Sequence, residues 1–115
     1  MSDPRRGDVV RVPLLSTDRT EFLWHPALVV QDPGVKGPFN KLLVAAITSK
    51  VRPAPTRILV QGGSHEGREM GLRLTSQICV DDLSAVPVFG MDVVGRCPFM
   101  SDVDALLHRI LALSK

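Results

Sequence analysis

The apolar run Leu42-Leu43-Val44-Ala45-Ala46-Ile47 does most to constrain the fold, because polar residues bound it and it ends abruptly at Thr48-Ser49-Lys50. A short, non-alternating run of this kind describes a central strand buried on both faces. It is far too short to span a bilayer, so no membrane partner is expected.

A central strand needs neighbours, and the rest of the chain supplies them. Asp8 to Leu15 reads as an apolar strand with Arg11 turned the other way, and Pro13 marks an edge or a bulge because it cannot donate to a ladder. Ser16 to Leu23 is a polar loop, and Ala27 to Val30 is a buried strand opened by Pro26. Pro53 and Pro55 interrupt the chain before a strand at Thr56 to Val60. Gly71 to Ile78 alternates as a half-exposed strand, and Asp92 to Arg96 is a last short one. Turn signals separate them: Asp32-Pro33-Gly34, Gly37-Pro38, a flexible glycine-rich hairpin loop from Gln61 to Gly67, and a turn or 3₁₀ segment at Asp81 to Ser84.

One helix stands out, at about residues 101–114. Ser101 and Asp104 have the spacing of a capping box, and Val103, Leu106, Leu107, Ile110 and Leu111 form one apolar stripe. Strands joined by short turns, with a helix only at the end, imply a mainly β fold: an antiparallel, partly closed barrel with a C-terminal α-helix. The 115 residues make one domain, 1–115.

Composition narrows the function only by exclusion. With four Phe, one Trp and no Tyr, the core is aliphatic and stacking platforms for bases are few. A net charge of +2, scattered along the chain, permits a nucleic-acid partner without naming one. Cys79 and Cys97 lie apart from each other and from any Cys/His cluster, which predicts free thiols and no metal site. No apolar segment follows Arg5-Arg6, so a secretory signal is not expected and the cytoplasm is the natural compartment. Phosphate loops, dinucleotide fingerprints and nucleophile elbows are all missing.

Polar residues at strand ends remain. Thr48 and Ser49 are either ordinary strand-ending residues or hydroxyl donors aimed at an anion. His25, before Pro26, is held extended; an imidazole can take and give a proton at cellular pH, but a lone histidine is also an ordinary surface or core residue.

The order of these segments resembles the MazF/PemK family of toxins. Arg6-Gly7-Asp8-Val9-Val10 is similar to the family's opening, and His25-Pro26-Ala27-Leu28-Val29-Val30 to its Arg-Pro-x-Leu-Val-Ile strand. Val44 to Ser49 is similar to its apolar strand ending in Thr or Thr-Ser, and Gly71-Leu72 with Ser76-Gln77-Ile78 to its Gly-Leu…Asp/Glu-Gln-Ile segment. The resemblance spans nearly the whole chain. It implies an SH3-like, CcdB/PemK-type barrel that forms a homodimer and cleaves single-stranded RNA with no metal or cofactor, leaving 2′,3′-cyclic phosphate and 5′-hydroxyl ends.

In that reading Thr48, assisted by Ser49, holds the phosphate oxygens, and His25 transfers protons. Arg19, Glu21 and Gln77 line the RNA groove, with Lys50 and Arg73 adding charge. The protein partner is an antitoxin whose acidic or disordered tail occupies the same groove. Two positions depart from the family: His25 replaces the principal catalytic arginine, and Cys79 replaces an arginine or lysine. The alternative they raise is a silent member of the fold that binds RNA, antitoxin or a target such as gyrase without cutting.

Overall fold

The computed structural model describes residues 3–15 and 22–113, with side chains described for all of these except Leu15 and Phe22. Six strands run β1 (Asp8–Leu15), β2 (Phe22–Val29), β3 (Lys41–Thr48), β4 (Arg57–Val60), β5 (Ser76–Pro87) and β6 (Asp92–Arg96), with helices α1 (His65–Glu69) and α2 (Met100–Ile110). They form one sheet in the order β4-β5-β3-β2-β1-β6. Every pairing is antiparallel.

The apolar run is β3, in the middle of the sheet, and it contributes to two cores. Ala45 and Ile47 join Val9, Leu28, Ile78 and Val80 on one face, under Val103 and Leu106 of α2. Leu42 and Val44 join Val10, Val12, Ala27, Val29, Val86 and Val88 on the other. Curling lets one chain cover both faces: β5 pairs with β3 along its whole length, but its register slips between Ala45 and Ala46. Leu83 faces Ala45 and Cys79 faces Ala46, so Val80, Asp81 and Asp82 are extra residues of β5. The expected turn at Asp81 to Ser84 is therefore a bulge inside a strand. The two aspartates break the register, but β3 continues to pair on either side.

Pro13 lies as expected. β6 pairs with β1 only as far as Arg11, so the far side of Pro13 is an open edge. Strand β2 begins earlier than expected, at Phe22, because residues 22–26 pair with β1 even though they lack β3. At the other end of the sheet the half-exposed strand starts late, at Ser76 instead of Gly71.

The glycine-rich segment is not a flexible hairpin loop. Ser64 caps α1, its hydroxyl accepting the Gly67 N–H at 3.0 Å. Gly67 is required there, since a Cβ would lie 2.6 Å from the Gln61 carbonyl oxygen.

Helix α2 also differs from its expected form. Its N-cap is Phe99, with no side-chain cap bond, so the Ser101 capping box does not form. Phe99 and Met100 pack against the core, which draws the helix start ahead of Ser101. The helix stops at Ile110, where Ala112 turns left-handed at φ 53° and the Leu113 N–H reaches back to the His108 carbonyl at 3.0 Å. Arg6 holds α2 to the sheet, pairing with Asp104 and donating to the Val30 carbonyl at 2.8 Å. Among the described residues no helix is long and apolar enough to cross a membrane.

Candidate active site

Antiparallel pairing places side chains in transverse rows, because directly opposed residues share a face. Val12 of β1 pairs with His25 of β2, and Thr48 of β3 pairs with Gln77 of β5, which pairs with Leu59 of β4. The β2–β3 register runs Val29 with Val44, Leu28 with Ala45 and Ala27 with Ala46. Continued two residues past its last pair, that register brings His25 into line with Thr48. Thr48 and Gln77 thus share a row, and His25 falls in line with it by the same register, at the end of the face whose apolar part is Ala27, Val29, Leu42 and Val44.

The β2–β3 ladder stops before reaching that row, and Pro26 is the reason. The Val29 carbonyl accepts from Gly7 on the β1 side, whereas the Val30 N–H donates to Leu43 of β3. Even-numbered residues of β2 thus turn their backbone toward β3. Pro26 is one of them and has no N–H to give Ile47. The β2–β3 pairing stops at Ala27 with Ala46, leaving a gap in the ladder where His25 and Thr48 follow.

Thr48 is half-buried, and its Oγ1 accepts the Lys50 N–H at 3.1 Å. Its own O–H remains able to donate. Ser49 and Lys50 are exposed beside it, and His25 is half-buried. Gln77 is brought next to Thr48 but is only 3% exposed. Its Oε1 accepts the Arg52 N–H at 2.8 Å, so it grips the β3–β4 connection instead of facing solvent. Arg73 is exposed in the segment between α1 and β5, its carbonyl close against Gly62, and it is not drawn into the row. Arg19 and Glu21 lie outside the described residues.

Cys79 and Arg57 make the next row. Cys79 is buried between Ala46 and Arg57, and that burial pushes its thiol above the ordinary value, against an opposing pull from Arg57. Arg57 reaches along the face to Asp81, with Nε to Oδ1 at 3.4 Å. The cation absent at position 79 thus has a counterpart one strand over. Its only sequence signal was an arginine before Ile58 in a β run, which says nothing without the β4–β5 register. Among the described residues, no group of three or more His, Cys, Asp or Glu is placed to hold a metal.

A hydroxyl and an imidazole at neighbouring strand positions beyond the last β2–β3 pair are groups that can hold an anion and move a proton beside it. Comparison with known proteins gives it a family. The family model of PemK-like, MazF-like toxins of type II toxin–antitoxin systems matches residues 5–111. The chain belongs to that family. Among solved structures it is similar to MazF from Deinococcus radiodurans, with 16% identity, a TM-score of 0.73, and 97% of this chain and 99% of that one covered. A mycobacterial endoribonuclease has 21% identity and a TM-score of 0.69 over 97% of this chain and 94% of that one. A mycobacterial endoribonuclease in complex with its cognate antitoxin has 21% identity and a TM-score of 0.71, with 97% and 98% covered. At these identities the likeness shows the fold: a mainly β, MazF-type half-barrel with a C-terminal helix. No curated protein sequence matches the chain.

Proposed function

We propose that this chain is the toxin of a toxin–antitoxin pair and acts as an endoribonuclease on single-stranded RNA, with no metal required. What supports the proposal is that the β2–β3 pairing ends at Ala27 with Ala46, and its register, continued past Pro26, brings His25 into line with Thr48. In an RNA strand lying over that gap, the ribose 2′-oxygen attacks the adjacent phosphate and expels the 5′-oxygen. His25 accepts the 2′-hydroxyl proton while water protonates the departing 5′-oxygen, or His25 protonates that oxygen while water takes the 2′-hydroxyl proton. The hydroxyls of Thr48 and Ser49 donate to the phosphorane oxygens, where negative charge builds. The products are a 2′,3′-cyclic phosphate and a 5′-hydroxyl.

Family membership supports an antitoxin partner, and the solved complex of a mycobacterial endoribonuclease with its cognate antitoxin supports the same reading. We place the protein in the bacterial cytoplasm as a homodimer. Exposed Lys50 and Arg73 are assigned to steer the phosphate backbone toward the gap.

The test is incubation of purified protein with mixed-sequence single-stranded RNA in excess chelator, followed by analysis of the product ends. Cyclic phosphates, lost in both Thr48→Ala and His25→Ala, are expected. No cleavage by the folded protein anywhere between about pH 5 and 8, the range in which imidazole changes charge, refutes the proposal. His25 and the uncharged, buried Cys79 favour a second reading, a binder of RNA or antitoxin that does not cut. Retained RNA binding without cleavage selects it.

A further inference from the structure

We infer that Gln77 is a positioning residue for Thr48, not a contact for RNA; this rests on the reading of Thr48 as the phosphate-holding hydroxyl. Gln77 stands directly opposite Thr48, on the same face, and only 3% of it is exposed. Its Oε1 receives the Arg52 N–H at 2.8 Å, across 25 positions of sequence. Four residues before Arg52, Thr48 Oγ1 receives the Lys50 N–H at 3.1 Å. The two bonds are the two ends of one short loop. Gln77 pins the far end at Arg52, and that anchor holds the Lys50 amide where it can engage Thr48. The Lys50 N–H occupies a lone pair of the hydroxyl, so the hydroxyl proton points away from the loop. Removing the anchor frees the loop and releases the hydroxyl to rotate.

The geometry separates positioning from direct RNA contact by the sign of one substitution. Gln77→Glu keeps an acceptor for Arg52 but adds a negative charge. Gln77→Met keeps the length and removes the acceptor. If Gln77 positions Thr48, amide exchange in the ¹⁵N-labelled protein shows the Arg52 and Lys50 amides opening faster in Gln77→Met and near wild type in Gln77→Glu. Cleavage kinetics then show kcat lowered roughly 10- to 100-fold in Gln77→Met with KM unchanged, the size of loss that small misplacements produce. Gln77→Glu recovers most of that kcat.

If Gln77 instead touches RNA, KM rises in both variants, more in Gln77→Glu because charge repels the backbone, and the two amides keep their protection. That result overturns the inference. Should Gln77→Met fail to fold, Gln77→Glu alone still decides it through the direction of its KM change. If the wild-type protein cleaves no RNA, the proposed function fails separately. The amide protection and the Thr48 hydroxyl orientation, read from its coupling to the Lys50 amide, then decide the inference on their own.

Discussion

His25 and Thr48 both lie just past the last β2–β3 pair, Ala27 with Ala46, and the residue after His25 is a proline whose nitrogen faces β3. The break is local. Ala27 still pairs with Ala46, and on the other side of β3 Thr48 still pairs with Gln77. The end of the β2–β3 ladder thus coincides with one missing N–H, that of Pro26.

Restoring that N–H tests the break in the ladder. Pro26→Ala offers an amide to the Ile47 carbonyl and is expected to extend the ladder by one rung. Hydrogen exchange at residue 26 shows the new bond as slowed exchange. Stability is held or raised by about 1 kcal/mol, the usual net worth of a hydrogen bond, while RNA cleavage falls several-fold as the gap narrows. Unchanged cleavage with a protected amide means the gap has no part in the chemistry.

Thr48 is tested by separating its hydroxyl from its shape. Thr48→Ser keeps the hydroxyl and is expected to retain most activity. Thr48→Val removes it and loses about 10²–10³-fold in kcat, the usual cost of deleting one oxyanion donor. The Lys50 amide is on an exposed residue and can turn to water, so the melting temperature of Thr48→Val stays close to wild type. A large drop in melting temperature instead makes Thr48 a structural residue.

The two cysteines predict an alkaline limit to stability. Burial raises both the Cys79 and Cys97 thiols above the ordinary value, outweighing the opposing influence of Arg57 on Cys79 and of the Phe99 backbone on Cys97. A raised folded-state value means the folded chain holds these protons more tightly than the unfolded one. The stabilisation is full below the unfolded value and is lost as pH rises past about 9, where the unfolded chain ionises first. Melting curves between pH 7 and about 10 are expected to fall more steeply for wild type than for a Cys79→Ala, Cys97→Ala double variant. Parallel curves rule out a contribution from the thiols.

Gly95 tests the packing of α1 on the sheet. A Cβ at this position would lie 2.3 Å from the Met70 carbonyl carbon and 2.5 Å from the Glu69 oxygen, both backbone atoms that cannot swing aside. Gly95→Ala is expected to destabilise by about 1–3 kcal/mol or more, the usual cost of overpacking. Urea unfolding measures it. Gly37→Ala, where nothing lies within 4 Å of an added Cβ, serves as the control and should be nearly neutral.

The residues themselves determined the strands at Asp8 to Leu15, Leu42 to Ile47 and Asp92 to Arg96, the open edge at Pro13 and the apolar stripe of α2. Each follows from alternation, proline chemistry or helical spacing over a few neighbouring positions. Family resemblance was legible too, in short motifs whose order survives low identity. The tertiary structure decided what depends on distant partners. Gln77 looks like a polar strand residue until β3 and the loop to Arg52 close over it. The glycine-rich segment looks flexible until Ser64 caps it and β6 packs against it. The two aspartates at 81 and 82 look like a turn until β3 pairs on both sides of them. The pairing of Thr48 with Gln77 is the clearest case, because register is a relation between strands, and no stretch of either strand contains it.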